Sequence, residues 1–201
     1  TSDDAKGNAY NVIGNLNLYD ISPTMFSAQG DQVTGWYQEK DKEYSYASTD
    51  NDHYLETYGG EVKLKLTTDL NLNTKYNNQI EKDYSGNEIT KLEESQVELE
   101  YALTDRVVTG VALKEVEELR DGKIGNATLG GTRVEYEIND DSNVYAEGQT
   151  ELAKDSNYDS NSIITLGGET KITEKLSADA RTSAGSRGNY HELGSTYKLT
   201  D

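Results

Sequence analysis

The chain has no cysteine. Disulfides and thiolate metal sites are therefore excluded. One proline, one tryptophan, one phenylalanine and one methionine are all that 201 residues contain of those types. Apolar residues make up only 33%, against the roughly 45–50% usual for a globular protein with glycine counted. That rules out a thick, dry core of Leu, Ile and Phe. Either small residues cover one sheet face thinly, or an apolar face meets something other than protein. No run approaches the roughly 18 apolar residues of a membrane helix. Basic residues are scarce too, 19 against 37 acids, for a formal charge of −18. A phosphate backbone calls for a Lys/Arg surface, so nucleic acid is excluded as a partner. A basic membrane-surface domain is excluded on the same ground. An acidic exterior favours solubility and collects cations, so weak cation binding by acidic loops is a candidate activity. The first residue is Thr1 and no secretory signal follows it, which reads as a processed or excised piece.

What the chain does have is alternation. Leu66, Leu103, Ile138, Ile172 and Leu199 each close a run in which inward and outward residues alternate, and each is followed by a short polar stretch. Period two is the side-chain period of a β-strand. In 128–138 one side carries Thr128, Gly130, Thr132, Val134, Tyr136 and Ile138; the other carries Arg133, Glu135 and Glu137. Val144, Ala146, Gly148 and Thr150 oppose Glu147, Gln149 and Glu151 in the next run. Ile164, Leu166 and Gly168 oppose Glu169 and Lys171; Ala178, Ala180 and Thr182 oppose Asp179 and Arg181. A one-residue slip would move charges to the uncharged side, so register is strongly specified. The pattern predicts an all-β fold: an antiparallel up-and-down meander of about 10–12 strands, closed as a barrel. Residues 1–201 read as one domain, with 1–53 less regular and 54–201 built of hairpin repeats.

Short turns are expected at 67–69, 104–106, 139–142 and 173–175. Long ones are expected at 77–94, 115–126, 153–161 and 185–189, all at the other end. In the N-terminal part, 9–19 and 32–37 read as strands, and 38–52 as a long hairpin tip. Gly59-Gly60, Gly130-Gly131 and Gly167-Gly168 lie within strand patterns, where they mark bends, bulges or close packing.

The uncharged face has two possible environments. Turned outward, it meets lipid, as in a membrane-spanning barrel with strands of about 9–11 residues and a polar interior. Turned inward, it is the thin core of a soluble sheet whose charged side meets water. The phrases at 100–106, 132–149, 167–181 and 194–201 resemble the meander of bacterial outer-membrane β-barrels, most of all the repeat-rich barrels found beside OmpA-like modules. The resemblance covers about residues 54–201. It implies a location in the bacterial outer membrane, a lipid bilayer as partner, and short turns on the periplasmic side. Outer-membrane barrels usually end on a strand with a terminal aromatic residue, whereas this chain ends at Lys198-Leu199-Thr200-Asp201; either the natural protein continues or this is not such a barrel.

Candidate chemistry is sparse. His53, beside Asp50 and Asp52, could activate water or a hydroxyl, but no G-x-S-x-G phrase accompanies it. His191 adjoins Glu192 and reads as an exposed strand residue. Asp155, Asn157, Asp159 and Asn161 place oxygens at alternate positions, which could wrap a hard cation. Ser160 and Leu166 stand where a calcium loop needs glycine and glutamate, and an Asx turn is the simpler reading. Tyr37, Tyr44, Tyr46, Tyr54 and Tyr58 could stack on a sugar or sit at a membrane interface. Residues 115–119 read as a solvated loop. No catalytic, cofactor-binding or metal residue is assigned, and no cofactor is expected. The leading function is a structural or pore-like outer-membrane barrel, or a segment of a larger one, with a charged polar lumen, not an enzyme. The alternative is a soluble extracellular module that assembles with copies of itself, or adheres, through strand edges.

Overall fold

The computed structural model describes residues 7–26, 30–41, 45–46, 49–50 and 53–198. Leu199, Thr200 and Asp201 of the last repeat lie outside the described residues. So do Tyr44, Asn51 and Asp52 of the expected hairpin tip, and the side chains of Tyr46 and Asp50.

The strands are β1 (Ala9–Asn17), β2 (Gln32–Lys40), β3 (Ser45–Tyr46), β4 (Thr49–Asp50), β5 (Tyr54–Lys65), β6 (Leu70–Lys82) and β7 (Glu88–Thr104), followed by β8 (Val107–Arg120), β9 (Lys123–Asn139), β10 (Ser142–Lys154), β11 (Ile163–Lys171), β12 (Leu176–Gly185) and β13 (Gly188–Tyr197). Eleven of them form one antiparallel sheet in the order β1-β2-β5-β6-β7-β8-β9-β10-β11-β12-β13; β3 and β4 pair apart as a small ladder. This is the expected meander. β1 and β13 are the sheet's edges, and no ladder joins them among the described residues. With an odd number of strands, both edges run the same way. An antiparallel closure between them takes an odd number of further strands.

Register carries the sequence alternation across the sheet without a flip. One transverse row runs Trp36, Gly59, Asn77, Glu94, Val116, Ala127. Three residues along, on the opposite face, a row runs Thr74, Val97, Leu113, Gly130, Thr150. The uncharged side is open: Val97, Leu99, Tyr101 and Leu103 are 40–56% exposed, Ile164 and Leu166 more than half, and Leu193 87%. The charged side is the more covered one, with Gln96, Glu98, Glu100 and Ala102 partly buried between those exposed neighbours. Its concavity is fixed by one long-range contact. Arg187, in the β12–β13 turn, bonds Glu118 on β8 at 3.1 Å. Four strand spacings separate those strands, about 19 Å of arc. A guanidinium bridges that arc only if the sheet curls around it. The charged face is thus the inner one, and the uncharged face is not a core in this structure.

Two expectations are corrected and a third is narrowed to one of its alternatives, close packing. The charged stretches at 77–82, 88–94, 115–120 and 123–126 are strand, not loop. Alternation continues through them because their charges are paired along and across strands: Lys91 meets Glu93 on its own strand and Glu117 on β8, at 2.9 Å each. The β8–β9 connection shrinks to Asp121 and Gly122, both at positive φ, the Asp-Gly hairpin turn that suits strand twist. Gly59-Gly60, Gly130-Gly131 and Gly167-Gly168 are not bulges. Register shifts fall instead at 81/82, 102/104, 142/143 and 151/153, near strand ends. At Gly59 the missing side chain makes room for the Trp36 ring, and at Gly167 for the Tyr145 ring.

Candidate functional site

The inner face is the candidate site, because it gathers the charges. Strand parity places Arg133, Glu135, Tyr145 and Glu147 on it, from neighbouring β9 and β10. The Arg133 guanidinium donates to Glu135 Oε2 at 2.8 Å and to Glu147, and lies over the Tyr145 ring with 4.4 Å to its centroid. Its rigid planar fork suits two carboxylates and a ring at once. Arg181 repeats the arrangement one hairpin on, paired with Glu192 and 5.4 Å from the Tyr190 centroid. Lys114 pairs with Glu94 at 3.2 Å, and Gln96 donates to Glu98 at 3.3 Å. A cavity of about 290 Å³ opens here, lined by Gln96, Glu98, Lys114, Arg133, Glu147 and Gln149 among others. Arg133, Arg181 and Lys114 each have an acid beside them, so the surface here presents polar groups of both signs rather than a track of one.

Near the long-strand end the inner face carries the only buried apolar cluster among the described residues: Val116, Ala127, Leu129 and Tyr158, with Leu92 packed against them. Tyr158 comes from the β10–β11 loop, whose backbone sits on Gly125; a Cβ there would meet Asn157 and Tyr158 backbone atoms at 2.8 Å. This loop is the stretch read as a possible cation wrap. Its oxygens are spoken for. Asp155 accepts from the Asn126, Asn157 and Tyr158 backbone N–H groups at 2.9–3.0 Å, and Asn157 Nδ2 donates to the Ile124 carbonyl. Burial works to raise the Asp155 carboxyl, but those donors outweigh it and hold the group below its ordinary value. Among the described residues, no three His, Asp or Glu side chains converge as metal ligands.

Among the described residues, His53 meets a carboxylate and not a hydroxyl. His53 Nδ1 is 3.1 Å from Glu81 Oε1, and Thr90 Oγ1 donates to the other oxygen of the same carboxylate at 3.0 Å. The acid stands between hydroxyl and imidazole, the wrong order for a base-activated nucleophile. His191 bonds Thr182 Oγ1 on the uncharged face at 2.8 Å, whereas its neighbour Glu192 turns to Arg181 on the inner face. Tyr37 donates to Glu39 at 2.7 Å, Tyr54 lies under Lys82 and Tyr58 is tilted against Tyr76. These tyrosines are on the outer side, near its upper edge.

The outer face itself is apolar and shallowly grooved. One groove of about 630 Å³ is lined by Gly130, Thr150, Leu152, Ile164 and Ala184. An apolar belt outside and paired charges within is the cross-section of a β-barrel that spans a membrane. Comparison with solved structures agrees. A KdgM porin, solved in complex with disordered oligogalacturonate, aligns with a TM-score of 0.60 over 96% of this chain and 94% of its own, at 8% identity. The NanC porin aligns with a TM-score of 0.55 over 98% and 96%, at 11% identity. A loop-deletion form of OmpT, an outer membrane protein of Vibrio cholerae, aligns with 0.52 over 93% and 74%, at 14% identity.

The fold is that of the outer-membrane β-barrel porins.

At these identities the likeness is one of fold. No protein-family profile matches the sequence, and no curated protein matches it. Sequence reasoning reached the porin-like meander through alternation and turn spacing. It read Arg133 only as one of the charged side's residues and passed over Tyr158 and Arg187, which help organise the inner face. The available signal was an arginine at an inward position of an otherwise acidic run, as at Arg133.

Proposed function

We propose that this chain is a pore-forming barrel of the bacterial outer membrane, one domain across residues 1–201, that passes small polar solutes through a charged lumen and performs no chemistry on them. The observation that carries this reading is the inversion of the sheet: apolar side chains open on the convex side, ion pairs covered on the concave side. In water that arrangement exposes Leu and Val without return, whereas in a bilayer it is the stable one. In hydrocarbon the β1 and β13 edges must also be paired, so the working pore is a closed barrel. The absence of a hydroxyl–imidazole pair at His53 favours a channel over a hydrolase. Solutes meet acids and bases side by side, with acids in excess at Glu98, Glu100, Glu135 and Glu147.

Reconstitution into a planar bilayer tests the proposal. Discrete conductance steps, with a reversal potential on the cation-selective side under a salt gradient, are expected. A folded protein that stays soluble without detergent and adds no conductance would refute it. Filaments grown from such a sample would favour the edge-pairing module.

A further inference from the structure

The inner face has two walls of different chemistry. From β7 to β12 it carries the ion pairs already described. On β1 and β2 the inward positions from 11 to 17 and from 32 to 38 hold amides, one threonine, one isoleucine and Trp36, and no charge. Trp36 pairs with Gly59 on β5, and its indole lies against that glycine: a Cβ at 59 would come within 2.5 and 2.8 Å of two ring atoms. Any larger residue there would lift the indole off the sheet. Trp36 is still partly exposed. Gln38 stands two residues along the same strand, with Asn11 opposite it on β1; Asn77 stands opposite Gly59 on β6, with Gln79 two residues on. Among the described residues, none of these four side-chain amides is engaged in a hydrogen bond.

This combination selects a solute class. An amide donates and accepts but carries no net charge, so it rewards a solute with several hydroxyls in fixed places rather than an ion. An indole held against the wall leaves apolar surface in contact with water, which a flat C–H face of a pyranose ring would cover. The rival for an aromatic face is an organic cation. Here the Lys75 ammonium already stands 5.7 Å from the ring centroid and repels a second positive charge. Glu61, opposite Lys75 on β5, is held by Lys63 at 3.4 Å and by Asn73 at 3.1 Å. An anionic solute would meet the excess of acids on the other wall. We infer that Trp36, with Asn11 and Gln38 on one side and Asn77 and Gln79 on the other, is a binding platform for an uncharged saccharide. The inference rests on the pore reading above and names the solute that its neutral wall holds.

Trp36 is the single tryptophan, so its emission reports on the platform without any need for conductance. In the folded whole chain in detergent, maltotriose or cellotriose is expected to change that emission saturably. In planar bilayers the same sugar is expected to block single-channel current over the same concentration range. Trigalacturonate and spermidine, the acidic and basic probes, should need roughly tenfold more for either response. Q38A/N77A should keep the parent conductance and weaken the sugar response about tenfold, and W36A should lose the block. Should W36A fail to fold by circular dichroism, Q38A/N77A carries the test. A conducting parent whose emission and current ignore both neutral sugars overturns the platform and leaves the pore. A response to trigalacturonate or spermidine as strong as to the sugars overturns the solute class. A folded parent whose emission answers to sugar but which carries no current upholds the platform and overturns the pore reading.

Discussion

The outer face has two regions that share strands and parity but not chemistry. Along β7, the outward side chains run Leu103, Tyr101, Leu99, Val97 and then Ser95, Glu93, Lys91. On β8 the same side runs Val111, Leu113 and then Glu115, Glu117, and on β6 Leu72, Thr74, Tyr76 and then Asn78. The change falls in one band, since Val97 pairs with Leu113 and Glu93 with Glu117. Below it the face has no charge. Above it, Lys91 bridges Glu93 and Glu117, and Asn78 is buried among the flanking side chains. Residues 97–103 rise about 20 Å along the strand. With a strand tilt of about 40° that is roughly 16 Å of height, which fits within the ~25 Å apolar band of a membrane barrel. The lesson is that backbone periodicity and solvent environment are separate facts. Alternation continues to the tip of β7, but the chemistry of the side chains it presents changes part-way up.

The sharpest way to break that comparison is to put a charge in the lower region. Leu99→Arg should cost about 2–4 kcal/mol in denaturant unfolding from vesicles, the range for an arginine near the bilayer midplane. Lys91→Leu, on the same face of the same strand but above the boundary, removes partly exposed ion pairs of about 0.2–1 kcal/mol each and should stay within about 1 kcal/mol. Equal costs at the two positions would mean one medium, not two. A smaller effect concerns the single tryptophan. Trp36 stacks over Gly59 on the inner side, with Lys75 5.7 Å from its ring. Its emission should be quenched by aqueous acrylamide and spared by brominated lipid. Moving the indole outward with W36F/L99W should reverse both responses.

The smallest effect is in acid. Asp83 and Asp155 lie beyond the strand ends, on the water side of the boundary. Asn87 holds Asp83 below its ordinary value by side-chain and backbone donation, and Asp155 is lowered as described. A carboxylate depressed in the folded state adds stability above its unfolded value of about 3.9, and that contribution is lost as pH falls through the still lower folded value. The hydrogen-exchange protection factors at 155–162, corrected for the intrinsic rate at each pH, should therefore fall between about pH 4 and pH 2, while the strands behind Leu99 and Val134 stay protected. Asp155→Asn should remove the pH dependence at the loop. Loss of protection in both regions together would join what the comparison separates.

How much was legible beforehand follows the same division. The meander, its strand number and its two-sided character were readable from Val134 against Glu135 and Ala146 against Glu147, because a pleated strand enforces period two whatever surrounds it. The upper extensions were misread as loops. Density of charge at 115–120 looked like solvation, and nothing local reveals that Glu117 has Lys91 for a partner across a strand. Asp121-Gly122 was the one local cue to that hairpin. The oxygen-rich run at 155–161 looked able to wrap a cation, whereas its carboxylate and amides satisfy the backbone of a loop folded over Gly125. His53 found Glu81, far along the chain, rather than a hydroxyl.

By itself, the sequence determined that this chain forms long antiparallel strands with one bare and one charged side, since alternation over so many turns tolerates no other register. Only the tertiary structure decided which side is inside. Curvature is not a property of any strand. It accumulates from twist and pairing over the whole sheet, and contacts such as Arg187 with Glu118 become possible only once that sum is complete.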